Sequence, residues 1–154
     1  LAQLVNVIAP IMTSDTGAWK QTIYYPFEMI SNYGRGKVLH TLVKSPVYES
    51  AHGNAPFLDC VMTMDEEKET VTVFAVNKSL DEDMELSCDL RQFTGYQVIK
   101  HAVLTHTDVK AENTQAHPDT VAPQENGKSA VENGILKAYL PDKSFNMIVL
   151  GKSK

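Results

Sequence analysis

No stretch of this 154-residue chain is apolar for long enough to cross a bilayer as a helix, and its N-terminus lacks the basic start and small-residue cleavage site of a signal peptide. Basic residues are scattered and the formal net charge is −5, so no stripe exists to neutralise phosphates. Neither nucleic acid nor a membrane is expected as a partner. Cysteine is scarce: Cys60 and Cys88 both sit in apolar strand patterns and read as buried free thiols of a reducing, cytoplasmic compartment. His40, His52, His101, His106 and His117 show no metal-ligand spacing with Cys or acidic neighbours. A glycine-rich phosphate loop and a Gly-x-Ser-x-Gly elbow are also missing, so neither metal nor cofactor is expected. An initiator methionine is absent, and the chain reads as a piece of something larger.

What is present falls into two unlike parts. Leu1-Ala2-Gln3-Leu4 resembles the last turn of a helix. Val7, Ile8, Ile11 and Met12 form a near-continuous apolar run, the pattern of a strand covered on both faces in a parallel sheet. Ser14-Asp15-Thr16-Gly17 is turn chemistry. A helix is then predicted, with Pro26 in its first turn, Ile23, Phe27 and Ile30 on one face, and Gly34 and Gly36 as its stop. One strand-loop-helix unit cannot bury its own apolar surface.

From Gly34 onward the periodicity is that of short strands. Lys37 to Tyr48 reads as one long strand, and Phe57–Met64 with Thr70–Val76 as a hairpin around an acidic turn. Asp83 to Leu90 alternates as a half-buried strand, and Gln97 to Thr105 is another. Gly134–Leu140 and Ser144–Leu150 read as a final hairpin through Pro141-Asp142-Lys143. The segment Thr107 to Asn133 is polar and aperiodic, a length of loop that is commonly functional or mobile. The predicted fold is mainly β: a jelly-roll-like antiparallel sandwich preceded by one strand-loop-helix unit.

Two stretches carry a family resemblance. Asn6-Val7-Ile8-Ala9-Pro10-Ile11-Met12-Thr13 with Trp19-Lys20-Gln21-Thr22-Ile23-Tyr24-Tyr25-Pro26-Phe27 resembles the end of the catalytic barrel in family 51 α-L-arabinofuranosidases. Lys110-Ala111-Glu112-Asn113-Thr114, followed by His117-Pro118-Asp119-Thr120-Val121-Ala122-Pro123, resembles a segment in their C-terminal sandwich. The resemblance implies that residues 1–33 are the last βα unit of a (β/α)8 barrel and that residues 34–154 are the C-terminal sandwich. It implies a retaining hydrolase that releases terminal α-L-arabinofuranosyl groups from arabinan, arabinoxylan or oligosaccharides, and a homo-oligomer. A segment ahead of the barrel is expected to complete the sandwich in that family, and without it an exposed strand edge is expected.

Such hydrolases need two carboxylates about 5–5.5 Å apart. The resemblance places both glutamates upstream of Leu1, so the chain is expected to hold no catalytic residue and to be inactive alone. Asp65-Glu66-Glu67-Lys68-Glu69 and Asp81-Glu82-Asp83 read as solvated turns. Gln21 is the candidate substrate-binding residue: it follows the last barrel strand, and an amide offers donors and an acceptor to sugar hydroxyls. The resemblance implies contact between this glutamine and the arabinose ring, while the alternative is that Gln21 caps the following helix. Trp19 is the second candidate, as a wall of the sugar pocket or as ordinary packing. Asn77-Lys78-Ser79 is a glycosylation sequon of the kind that arises by chance. A stand-alone carbohydrate-binding module or an oligomer-assembly sandwich remains the alternative. Binding modules expose flat aromatic strips, whereas Tyr48, Phe57, Phe74, Phe93, Tyr96, Tyr139 and Phe145 lie mostly in strand patterns.

Overall fold

The computed structural model describes residues 3–152. Its elements are β1 (Ile11–Ser14), β2 (Gly17–Lys20), α1 (Tyr24–Tyr33), β3 (Lys37–Leu39), β4 (Val47–Tyr48), β5 (Ala55–Pro56), β6 (Leu58–Asp65), β7 (Thr70–Asn77), β8 (Met84–Asp89), β9 (Tyr96–Thr105), β10 (Ser129–Glu132), β11 (Ile135–Leu140) and β12 (Ser144–Lys152). A five-stranded sheet, β3-β6-β7-β12-β9, faces a three-stranded one, β10-β11-β8, and every strand pair in them is antiparallel. The predicted sandwich is present.

Alternation decides which side chain goes where. In β7, Val71, Val73 and Ala75 join Leu86, Leu136, Leu140, Ile148 and Leu150 in the core between the sheets. Phe74, Met147 and Val149 point to the opposite face and meet Ala102, Leu104, Val121 and the helix residues Tyr25 and Met29. The middle strands β7 and β12 are therefore apolar on both faces because both faces are covered. Burying each such Val, Leu or Ile is worth about 1.5–3 kcal/mol.

Turns match their chemistry. Asp65 Oδ1 accepts from the amides of Glu67 and Lys68, both at 3.1 Å, and closes the β6–β7 hairpin. Gly34 ends α1, its N–H donating to Ile30 O at 2.8 Å. At Gly36, φ is +83°, and a Cβ would stand 2.0 Å from Met64 O, so only glycine fits there.

Four expectations need correction. First, β11 and β12 do not form a hairpin: β11 pairs with β8 and β10, whereas β12 lies between β7 and β9. Pro141-Asp142-Lys143 crosses from one sheet to the other, pinned by Asn77, whose Nδ2 donates to the carbonyls of Glu82, Leu140 and Pro141. Second, the strand expected over Lys37–Tyr48 breaks after Leu39: Lys37–Leu39 pairs with Met62–Met64, residues 40–46 have no ladder partner, and Val47–Tyr48 pairs separately with Ala55–Pro56. Third, the polar segment contains a strand, β10, paired with β11.

The fourth concerns the opening run. Val7 and Ile8 are 78% and 72% exposed, and Ile11–Ser14 instead turns back on Gly17–Lys20 as an antiparallel hairpin. Among the described residues the only parallel pairing of that run is an isolated bridge between Val5 and Ile11, and no parallel strand covers it. The helix α1 turns Tyr25 and Met29 inward, and Ile23, Phe27 and Ile30, predicted to share a face, are exposed. The helical turn expected over Leu1–Leu4 lies partly outside the described residues, and Gln3 and Leu4 are not helical.

Candidate functional site

Trp19 lies in β2 and Gln21 directly follows that strand, one short step before α1. The local geometry comes from backbone bonds: Gln21 N–H donates to Pro10 O at 2.8 Å, and Tyr24 N–H donates to Gln21 O at 2.9 Å. The Gln21 side chain does not cap the helix, which has no side-chain N-cap bond. Its Nε2 donates instead to the main-chain carbonyl of Asn113 at 3.0 Å. Trp19 Nε1 donates to the same oxygen at 3.1 Å. The two candidates, both half-buried, thus share one acceptor.

Asn113 was not foreseen as a site residue. It is 1% exposed. Its Nδ2 donates to Lys20 O and Val121 O, each at 3.0 Å, and its Oδ1 accepts from Val121 N–H at 2.7 Å. One asparagine therefore ties β2, the polar loop and the outer core together. Its partners Trp19, Lys20 and Gln21 lie 92 to 94 residues away in sequence, so no local pattern reveals the role. The available signal was its place in the string Lys110-Ala111-Glu112-Asn113-Thr114.

The surroundings add order. Gln115 Nε2 donates to Thr16 Oγ1 at 2.6 Å, while Thr114 and His117 exchange backbone bonds at 3.1 and 3.2 Å. Lys20 pairs with Glu28 at 3.2 Å and lies 4.4 Å from the Tyr24 ring centroid. Burial, with the Asp119 charge adding to it, raises the Tyr25 hydroxyl above its usual range.

Elsewhere the chemistry is quieter. A cleft of about 800 Å³ runs between residues 39–44, β6 and β8, and includes Cys60 and Cys88 but neither Trp19 nor Gln21. Burial raises both thiols, Cys60 to about 11, so they stay protonated at neutral pH and are poor nucleophiles. They are free, half-buried cysteines. Among the described residues β8 pairs only with β11, and its other edge lies beside this cleft. The acidic turns carry surface ion pairs such as Lys37–Glu66 at 2.8 Å and lie at the surface. Among the described residues, no three His, Cys, Asp or Glu side chains gather as metal ligands. The sequon Asn77 is fully buried, with its amide spent on three carbonyls, and is closed to glycosylation in this fold. Of the seven sandwich aromatics, Phe74 and Tyr96 are buried, and Tyr48 meets Phe57 edge-on at 72°. These rings form no flat strip.

The junction built on Asn113 joins the two stretches that carry the resemblance, and the comparisons agree along the whole chain. Residues 1–144 match the family model described as the alpha-L-arabinofuranosidase C-terminal domain. The chain belongs to that family. It is 50% identical, over 99% of its length, to an intracellular exo-α-(1→5)-L-arabinofuranosidase of Halalkalibacterium halodurans, and covers 30% of that protein. Against the Bacillus subtilis intracellular exo-α-(1→5)-L-arabinofuranosidase 1 the identity is 47%, with 99% and 30% covered. The solved structure of a family 51 α-L-arabinofuranosidase from Bifidobacterium longum superposes with a TM-score of 0.87 at 35% identity, covering 96% of this chain and 29% of that one. This arabinofuranosidase C-terminal domain thus spans about a third of the relatives it matches, and their remaining part is not covered.

Proposed function

We propose that this chain is the C-terminal part of a cytoplasmic, homo-oligomeric, retaining α-L-arabinofuranosidase that releases terminal arabinofuranosyl groups from arabinan, arabinoxylan or their oligosaccharides. In this reading residues 1–33 close the catalytic barrel, residues 34–154 form a non-catalytic sandwich, and both catalytic glutamates come from the part that precedes Leu1. Gln21 contacts the arabinose ring and Trp19 walls its pocket. The observation that carries the reading is the common anchoring of Trp19 Nε1 and Gln21 Nε2 on one carbonyl of the sandwich loop. That anchoring supports a role in presenting polar groups to a ligand, since neither side chain is spent on the helix it precedes.

The chemistry is recognition rather than bond cleavage. A primary amide held by one N–H still offers a donor and an acceptor, which matches vicinal hydroxyls without adding a charge. An indole fixed through its N–H offers a defined apolar wall to a sugar ring. The test uses an aryl α-L-arabinofuranoside. The purified chain should give no turnover, and joined to its catalytic part it should hydrolyse the substrate, with Gln21→Ala lowering kcat/KM about 10-fold or more. Contaminant-free hydrolysis by the chain alone would overturn the placement of catalysis upstream, and an unchanged kcat/KM in Gln21→Ala would overturn the role of Gln21.

A further inference from the structure

The polar loop does more than cover the outer face of the large sheet. Its residue Asn113 spends its whole side chain on main-chain partners: Lys20 O, Val121 O and Val121 N–H. Those three bonds, made by a side chain that is 1% exposed, fix the position of the Asn113 peptide relative to β2. Its own carbonyl, with two lone pairs, then receives Gln21 Nε2 at 3.0 Å and Trp19 Nε1 at 3.1 Å. We propose that Asn113 is a positioning residue for sugar recognition: through its main-chain carbonyl, the sandwich domain sets the orientation of Gln21 and Trp19.

This rests on the reading of Gln21 and Trp19 as sugar-facing residues, and adds a role for the sandwich to it. The geometry makes the coupling specific. Gln21 is held at one N–H only, so its Oε1 and second N–H have no partner among the described residues. An amide fixed at one end has its remaining groups aimed rather than free to rotate, which reduces the entropy lost on binding a ligand. The indole has a single donor, and its bond to the same carbonyl fixes the ring edge. Displacing the Asn113 peptide therefore disturbs both side chains together, although Asn113 itself need not touch the sugar. Loss of its side chain would leave the buried Val121 N–H without its acceptor and free Lys20 O from its donor, loosening the loop where it meets β2.

The experiment is a double-mutant cycle in the full-length enzyme, reading kcat and KM separately on an aryl α-L-arabinofuranoside and melting temperature alongside. Asn113→Ala should lower kcat/KM about 10-fold, mostly through KM, because it loosens a binding group rather than a reacting one. In the Gln21→Ala background the same change should cost less, about threefold at most, since only Trp19 is then left for it to position. Asn113→Asp keeps the volume and the acceptor for Val121 N–H but replaces the donor facing two carbonyls. It should behave as Asn113→Ala does, and it carries the cycle if the alanine variant does not fold. Losses that multiply in the double variant, or an Asn113 variant with wild-type KM and a lowered melting temperature, would overturn the proposal and leave Asn113 a structural residue only. An unaltered kcat/KM in Gln21→Ala alone would instead overturn the sugar-facing reading of Gln21, and the positioning role with it.

Discussion

The two faces of the five-stranded sheet are held by different physics. Between the sheets, Val73, Leu136, Leu140, Ile148 and Leu150 are fully buried, and the cohesion is apolar contact on a continuous strand ladder. On the outer face, α1 and the polar loop rest on a smaller apolar cluster and are fastened at the edge by Asn113. The first arrangement is non-directional and tolerates exchange of similar volumes. The second depends on a few hydrogen bonds that one atom can undo. A domain built this way has a frame held by packing, while the Trp19–Gln21 junction beside it is set by a separate, specific clasp.

Deleting core volume is the strongest way to break the comparison. Leu136→Ala or Leu140→Ala should lower unfolding free energy by about 2–5 kcal/mol in denaturant titration, through the lost transfer energy and the cavity left behind. The bonds of Asn113 should stay intact until global unfolding. Asn113→Ala should cost less, about 1–3 kcal/mol for the buried groups left unpaired. Its effect should be local: faster hydrogen exchange at Val121, and altered emission from Trp19, the only tryptophan.

A third, smaller effect tests a polar contact inside the sandwich. His101 Nε2 lies 3.3 Å from Asn146 Oδ1 and its Nδ1 lies 3.0 Å from Ser129 Oγ. The Asn146 amide nitrogen already donates to Ser144 Oγ and Ala75 O, so Asn146 Oδ1 accepts from Nε2–H. Burial pushes the His101 pKa below its usual value. The folded form thus binds this proton less readily than the unfolded one. Stability from this group is fully present above the unfolded pKa near 6.5 and falls as pH drops through the folded value. His101→Gln should flatten that acid limb in unfolding measured as a function of pH. A limb of unchanged steepness would assign it to other groups.

The smallest change is expected on the exposed side of α1. Phe27→Ser and Ile30→Ser should alter the stability of this chain by no more than about 0.5 kcal/mol, since their rings and methyls are half in water already. The same substitutions in the joined enzyme should cost several times more if a barrel neighbour covers that face.

These contrasts follow how far each feature was legible in the sequence. Strands β6, β7, β8 and β9 begin and end within one residue or so of the predicted segments, because alternation and turn residues such as Asp65 are local signals. The partner of β12 was not legible. Ser144–Lys152 looks alike whether it pairs with β11 or with β7 and β9, and the choice is made by burial on both faces. Which face of α1 turns inward is not legible either, for a related reason. Ile23, Phe27 and Ile30 are the more apolar set, yet the described sheet receives Tyr25 and Met29.

Gln21 and Trp19 were legible as candidates because they lie in a long recognisable string, and their common anchor was not, because Asn113 is more than ninety residues away. By itself the sequence determined the family, the β class and the segments of β6 to β9, all of which rest on residue order over short distances. Only the tertiary structure decided which strands are neighbours, which face of the helix is buried and which carbonyl holds the two candidate site residues. Those outcomes depend on which distant groups meet once two sheets close over one core, and no local pattern encodes that.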